Sequence, residues 1–247
     1  MKRIVIIGAT SSMAEHCARL WLSRAPADLT LIGRDTSKLE RIAADLRVRS
    51  AAAQIRIGVA DLLSTAGVQA MVDDVMRQGP VDTVLVAHGS LADQALCQED
   101  LAATREALEI NGISPVLCAE AFAHAMSRSG SGTIALIGSV AGDRGRKSNY
   151  VYGAAKGLMD RYAQGMQHRF SGTGVKVVLI KPGPTDTPMT ASLKSQGARL
   201  APVEEVAAQI VDAIARGRPV AYVPGKWRLI MMIIRHLPAV IFNKLNI

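Results

Sequence analysis

Short apolar runs alternate with longer stretches of helical periodicity along most of the chain, and this alternation limits the fold more than any other feature. Arg3–Ile7, Leu29–Ile32, Gln54–Val59, Val81–Ala87, Thr133–Gly138 and Val175–Ile180 read as buried strands. Helical patterns lie between them near Ala14–Ser23, Ser37–Val48, Ala66–Arg77, Asp100–Ser127 and Tyr152–Phe170. A strand that is apolar on both faces needs cover on both, and strand, helix, strand in regular order returns parallel through a right-handed crossover. The expected fold is α/β: a Rossmann-like, doubly wound parallel sheet with helices on both faces. At 247 residues one such domain holds a full core. No linker or repeat divides it. Residues 1–225 read as this domain, and 226–247 as an apolar helical tail that is not a domain of its own.

The chain is 49% hydrophobic and 20% charged, a globular composition. Its net charge of +8 is uneven. No acidic residue follows Asp212, whereas Arg216, Arg218, Lys226, Arg228, Arg235 and Lys244 do. A basic, apolar tail points to an anionic surface. Aromatic residues make up only 4%, which argues against base-stacking nucleic-acid modules. Cys17, Cys97 and Cys118 are too scattered for a disulfide framework or a metal site, and Cys17 falls in an apolar helical pattern. The run Ile4–Ile7 is too short for a signal peptide, and no stretch reaches the ~18 apolar residues of a membrane span. A reduced, cytoplasmic location is expected, with a peripheral place on the inner face of the membrane if the tail meets lipid.

Doubly wound folds bind ligands at the carboxyl ends of their strands. There the first strand runs into Gly8-Ala9-Thr10-Ser11-Ser12-Met13-Ala14 and then a helix. Small residues let the backbone approach a pyrophosphate, and a helix N-terminus offers free N–H groups. The competing reading is a plain tight turn with Ser12 as the helix cap. The second strand ends in Gly33-Arg34-Asp35. An acidic residue at the tip would hold a ribose diol, whereas Arg34 suits a 2′-phosphate. NADP(H) is therefore the favoured cofactor, and Asp35 keeps NAD(H) as the alternative. Asp61, after the third strand, either caps a turn or accepts from an adenine amino group.

Ser139 ends the fifth strand, and Tyr152 and Lys156 follow at i and i+4, on one helical face. A phenol with pKa near 10 is a poor proton donor and acceptor at neutral pH, and a nearby ammonium brings it toward the working range. The lysine can also hold a ribose hydroxyl, and the serine can hydrogen-bond a substrate oxygen. An ordinary amphipathic helix with a snorkelling lysine would show the same spacing.

The order Gly8 turn, Asp61, Asn111, Ser139, Tyr152, Lys156, Pro182-Gly183 resembles the short-chain dehydrogenase/reductase family over most of the chain. The resemblance implies Tyr152 as general acid/base, Lys156 as modulator and ribose ligand, Ser139 orienting the carbonyl, and Asn111 holding a water in a proton relay. It implies cofactor contacts at Gly8, Thr10, Ser11, Ser12, Met13, Arg34, Asp61, Leu62, Ala87, Gly89, Tyr152 and Lys156, with Pro182, Gly183, Thr185 and Thr187 around the nicotinamide. It also implies a homodimer or homotetramer. Two departures stand out. Ser12 and Ala14 replace glycines of the turn, so Ser12 must accept a glycine's backbone angles or the turn differs in shape. Val86-Ala87-His88-Gly89 replaces the family's Asn-Asn-Ala-Gly, and His88 is assigned no catalytic role.

Arg144, Arg146 and Lys147 lie between Ser139 and Tyr152, as a phosphate-recognising loop or as solvated charges. Pro184–Leu200 reads as a lid. In the tail, Pro238 is expected to break the segment into a pair of short helices, and ten helical residues span about 15 Å, half a bilayer core. The tail can lie in a membrane interface, or serve as a buried terminal helix or an oligomer contact. Its Met-Met, Arg-His-Leu-Pro and Phe-x-Lys-Leu steps resemble, more narrowly, decaprenylphosphoryl-2-keto-β-D-erythro-pentose reductase-like proteins. That resemblance implies a polyprenyl-phosphate-linked keto-sugar. The alternatives are a soluble ketone, a carrier-bound 3-oxoacyl group, or a cofactor-binding regulator without turnover.

Overall fold

The computed structural model describes residues 1–245. Strand and helix alternate as β1 (Lys2–Ile7), α1 (Ser12–Arg24), β2 (Ala27–Gly33), α2 (Thr36–Arg49), β3 (Gln54–Val59), α3 (Thr65–Arg77) and β4 (Thr83–Val86). Then come α4 (Gln94–Glu99), α5 (Leu101–Leu108), α6 (Ser114–Ser129), β5 (Ser131–Ile137), α7 (Tyr150–Arg169) and β6 (Gly174–Pro182). The chain continues with α8 (Ala191–Ser195), α9 (Val203–Ala215), β7 (Val220–Val223), α10 (Trp227–His236) and α11 (Ala239–Phe242). All seven strands are parallel, in the order β3-β2-β1-β4-β5-β6-β7.

The pleat sends alternate side chains to opposite faces. Ile4 and Ile6 of β1 join the core shared with α1, α2 and α9, whereas Val5 and Ile7 join the core shared with α3, α6 and α7. β5 and β6 divide in the same way, with Ile134, Leu136, Val177 and Leu179 on the second side. Both faces are thus filled, which is why these strands read as unbroken apolar runs. Helix starts follow local capping: Asp35, Ser64, Asp93 and Asp100 each accept a backbone N–H from the first turn of α2, α3, α4 and α5.

Besides the short helices α4 and α8, the structure departs from the expected pattern in β7, α9 and the helix after Asp100. β7 is a four-residue edge strand between Pro219 and Pro224, too short to stand out as a run. α9, unassigned in the sequence, packs its Val206, Ala207 and Ile210 into the α1 side of the core. The expected single helix Asp100–Ser127 is interrupted by a π-helical turn at Glu109–Ile113. Its Asn111 side chain donates to the Ala107 carbonyl over 2.9 Å.

All three cysteines are buried free thiols. Among the described residues no helix is long and apolar enough to cross a membrane. Phe122 of α6 is wholly enclosed in the second core. Phe122→Ala is expected to lower the unfolding free energy by about 3–5 kcal/mol, measured by urea denaturation.

Candidate active site

The chain leaves β1 toward β2 and β3, then crosses to β4 on the other side of β1, so a crevice opens at the carboxyl ends of β1 and β4. A cleft of about 370 Å³ lies there. Gly8, Thr10, Ser11, Ser12 and Met13 form one wall, Arg34, Asp61 and Leu62 another, and Ala87, Gly89 and Thr187 border the rest. Gly33, Ala60, His88, Ser90, Ile110, Pro188 and Met189, unassigned in the sequence, also line it. Asn111, Ser139, Tyr152, Lys156, Pro182, Gly183 and Thr185 are not in this lining.

Gly8 has φ +78°, and a Cβ there would lie 2.6 Å from the His88 Cα. Only glycine fits. Ser11, not Ser12, occupies the N-cap of α1, and its side chain makes no capping bond. Among the described residues only glycines have a positive φ, so Ser12 adopts no glycine angles. The turn takes a different shape instead, with Ser12 as the first helical residue, and no side chain caps the start of α1, whose Ser12 and Met13 line the cleft.

At the ribose end, Asp35 is committed to α2. It accepts from Lys38 N over 3.0 Å and from Ser37 Oγ over 2.7 Å. These bonds, Ser37 foremost, hold its carboxyl down at about 2. Arg34 is exposed and has no ionic partner among the described residues. Asp61 Oδ1 accepts from Leu63 N over 3.0 Å, so it caps a turn while lining the cleft.

Ser139 caps the short turn Val140–Asp143 after β5, accepting from Ala141 N over 3.1 Å. Tyr152 stands in the first turn of α7, and Lys156 one turn later. The Lys156 Nζ lies 5.7 Å from the Tyr152 ring centroid and donates to the Ile137 carbonyl over 3.1 Å. Burial brings the Lys156 ammonium down to about 8, opposed by Asp160. Burial also raises the Tyr152 phenol, while hydrogen bonding with the Ser139 hydroxyl pulls the other way. The expected lowering of the phenol by Lys156 is not found: burial raises the phenol, and the opposing pull comes from Ser139. Asn111 is fully buried, and its Oδ1 accepts from Ser90 N over 2.8 Å. A Cβ on Gly89 would lie 2.9 Å from Asn111 Oδ1 and 3.8 Å from Lys156 Nζ, so these three groups converge.

His88 bonds Ser114 Oγ through Nε2 over 2.8 Å, and that hydroxyl donates to the Leu62 carbonyl over 2.6 Å. The serine proton being spent, Nε2 carries the imidazole proton. Burial first, and Lys156 second, press His88 down to about 3, so the ring is neutral. It ties the loop after β4 to α6, in the region where the family's asparagines are absent.

Near Pro182, the Thr185 hydroxyl donates to the Gly183 carbonyl over 2.9 Å. The Trp227 indole fills the space that a side chain at Gly183 would need. The segment after Thr187 is a short turn and α8, closed at its base by pairing of Thr185 with Ala201. Arg144 does not line the cleft and is bound to the tail. Its Nη1 donates to the carbonyls of Ile234 and Leu237, each over 2.6 Å, and its guanidinium stacks 3.7 Å from the Phe242 ring centroid. Arg146 is half-buried, and its Nε has no partner among the described residues. Sequence reasoning missed Lys181 and Asp160, which meet over 2.5 Å behind Lys156. A lysine one residue before Pro182-Gly183 gave no signal of its own.

The sequence profile of the short chain dehydrogenase family matches residues 2–198. An uncharacterized oxidoreductase of Streptomyces coelicolor is 32% identical over 246 residues, covering 99% of this chain and 96% of that protein. One from Mycobacterium tuberculosis is 32% identical over 243 residues, covering 98% and 96%. Among solved structures, levodione reductase superposes with a TM-score of 0.83 at 22% identity, covering 91% of this chain and 96% of that one. A short-chain dehydrogenase from Sphingobium yanoikuyae in complex with NADPH gives 0.82 at 23%, covering 97% of each. The chain belongs to the short-chain dehydrogenase/reductase family, oxidoreductases that act on the alcohol–carbonyl couple.

Proposed function

We propose that the protein reduces a carbonyl compound, or oxidises the corresponding alcohol, with NADP(H). The observation that carries this is the meeting of Ser139 and Tyr152, with Lys156 behind them, at the end of β5. The nicotinamide nucleotide, when bound, supplies or accepts the hydride. Ser139 orients the substrate oxygen. The Tyr152 phenol gives its proton to that oxygen in reduction and takes it back in oxidation. Lys156 holds a ribose hydroxyl and replenishes the proton, and Asn111 keeps the water of the relay. Tyr152→Phe is expected to lower turnover at least a thousandfold while NADPH still binds, read by NADPH fluorescence titration; an active Phe variant overturns the mechanism.

A nicotinamide dinucleotide phosphate fits the residues present. Gly8, packed directly against the His88 backbone, lines the cleft, and the start of α1 beside it offers N–H donors to a pyrophosphate. Asp35 is spent on its own helix, which leaves a ribose diol without an acidic partner and Arg34 open to a 2′-phosphate. Similar folds solved with NADPH agree with this choice. Arg34→Ala is expected to lower the affinity for NADPH about tenfold or more and to leave that for NADH nearly unchanged, both measured by fluorescence titration.

For the substrate we infer a phosphate-bearing, lipid-linked keto-sugar of the polyprenyl-phosphate class. The half-buried Arg146, in the loop before α7 and without an ionic partner among the described residues, supports recognition of an anion there. Arg144 is taken by the tail and is left out of that role. Residues 226–247 are read as an interfacial segment on a domain of residues 1–225, peripheral to a membrane. Leu229, Met232 and Ile233 of α10 and Val240 and Ile241 of α11 are exposed, among Lys226, Arg228, Arg235 and Lys244. Such a face suits an anionic bilayer surface. Exposed Ile113, Leu117 and Leu158, beside and on α6 and α7, suit a homo-oligomer contact. The full chain is expected to float with vesicles of phosphatidylcholine containing phosphatidylglycerol, less so at high salt. The doubly substituted Leu229→Ser/Ile233→Ser chain is expected to stay in the soluble fraction. If the unaltered chain does not float, soluble ketones and carrier-bound 3-oxoacyl groups become the first substrates to try.

A further inference from the structure

Behind Lys156 lies an ionic cluster that none of the proposed steps uses. The Lys181 ammonium, near the end of β6, pairs with Asp143 and with Asp160, the latter at 2.5 Å. The three side chains are only 5%, 3% and 9% exposed. Asp143 also accepts from the Tyr222 hydroxyl of β7 over 2.9 Å. Two carboxyl groups thus share one ammonium; burial raises the Asp160 carboxyl and Lys181 opposes it, and with both carboxylates ionised the cluster carries one excess negative charge inside the protein. Water cannot screen it there.

The geometry gives that excess a direction. Tyr152, Lys156 and Asp160 follow one another at four-residue steps on one face of α7. Gly142 lies so close to α7 that a Cβ on it would touch Asp160 Oδ2 at 2.9 Å and the Lys156 backbone at 2.8 Å. The second oxygen, Asp160 Oδ1, is buried without a hydrogen-bond partner among the described residues. It faces Gly138, 3.6 Å from where a Cβ there would stand, directly after the Ile137 carbonyl that holds Lys156 Nζ. The open oxygen and the catalytic ammonium therefore meet the same end of β5.

We propose that Asp160, held by Lys181 and Asp143, is a positioning residue whose uncompensated carboxylate keeps Lys156 protonated and in place for the proton transfer of Tyr152. The groups facing Lys156 from the surrounding elements are few. They are Tyr152 and Asp160 on α7, the neutral His88 after β4 and the neutral Asn111 between α5 and α6, with Lys181 of β6 and Asp143 after β5 joined on through Asp160. Of these only Asp160 and Asp143 bring negative charge. Burial disfavours the ammonium, and Asp160 opposes burial. Lys181 anchors the carboxylates and limits how much of their charge Lys156 feels. The proposal rests on the reading of Tyr152 and Lys156 as the proton-transfer pair.

The test reads Lys156 directly, in the folded chain without substrate. Protein carrying 13C-lysine is titrated by NMR, with the Lys156 signal assigned by its loss in Lys156→Arg. The midpoint in the unaltered chain is expected at about 8. Asp160→Asn is expected to lower it by about one pH unit, a tenfold loss of proton affinity, and Asp160→Glu to restore it. Asp160→Asn leaves Lys181 paired with Asp143. If that variant does not fold, Asp143→Asn, which removes one charge from the far side of Lys181, is expected to lower the midpoint by a smaller amount. An unmoved midpoint in the folded variants, or a Glu variant that fails to restore it, overturns the proposal. Because no turnover is measured, this failure is distinct from that of the Tyr152 mechanism, which an active Tyr152→Phe would show.

Discussion

Helix α7 and the turn Val140–Asp143 approach each other so closely that side chains are excluded at the contact. A Cβ on Gly142 would strike the Lys156 backbone, and one on Gly153 would lie 3.0 Å from the Ala141 carbonyl. On another side, Gly112 brings the π-helical turn against Ala155, where a Cβ would lie 3.1 Å from its carbonyl. Backbones packed at this distance cannot slide without collision. The grip fixes Tyr152 and Lys156 against Ser139 on one side and Asn111 on the other. Widening it by one methyl at Gly142 would move Tyr152 and Lys156 away from Ser139.

The electrostatics follow from the same packing. Lys156, Lys181 and Asp160 are all buried, and each alone would be costly. They coexist because the turn after β5 delivers Asp143 and the end of β6 delivers Lys181 to the face of α7 that carries Asp160. His88, in the same neighbourhood, solves its own burial differently, by staying neutral and bonding Ser114. The charges thus gather behind Tyr152, whereas the cleft lining is mainly uncharged, with Arg34 and Asp61 among its residues.

Much of this was legible in the sequence because the signals are local or periodic. Six strands announced themselves as apolar runs, and the Tyr152–Lys156 pair needed only helical spacing. The turn after β1 was legible in place but not in shape, since Ser11 and not Ser12 takes the cap. What escaped depended on contacts between distant segments. β7 is a short edge strand whose identity comes from pairing with β6. The break before α6 comes from Asn111 folding back on Ala107 and from Gly112 meeting α7. Arg144 reads as one of three loop cations, yet its partners lie some ninety residues further on. Asp160 and Lys181 have meaning only once β6 lies beside α7.

The tail shows what such distant contacts do for association. Arg144 closes the C-terminal end of α10 and Phe242 of α11 stacks on it, while Trp227 and Met231 sit against the fold. The segment is therefore ordered before it meets anything. A flexible basic tail would lose backbone and side-chain freedom on binding, roughly 1–2 kcal/mol for each residue fixed. Here folding has already met that loss. Its outward apolar side chains can thus contribute nearly their full transfer free energy to whatever surface they enter, so a short segment can act with the strength of a longer disordered one.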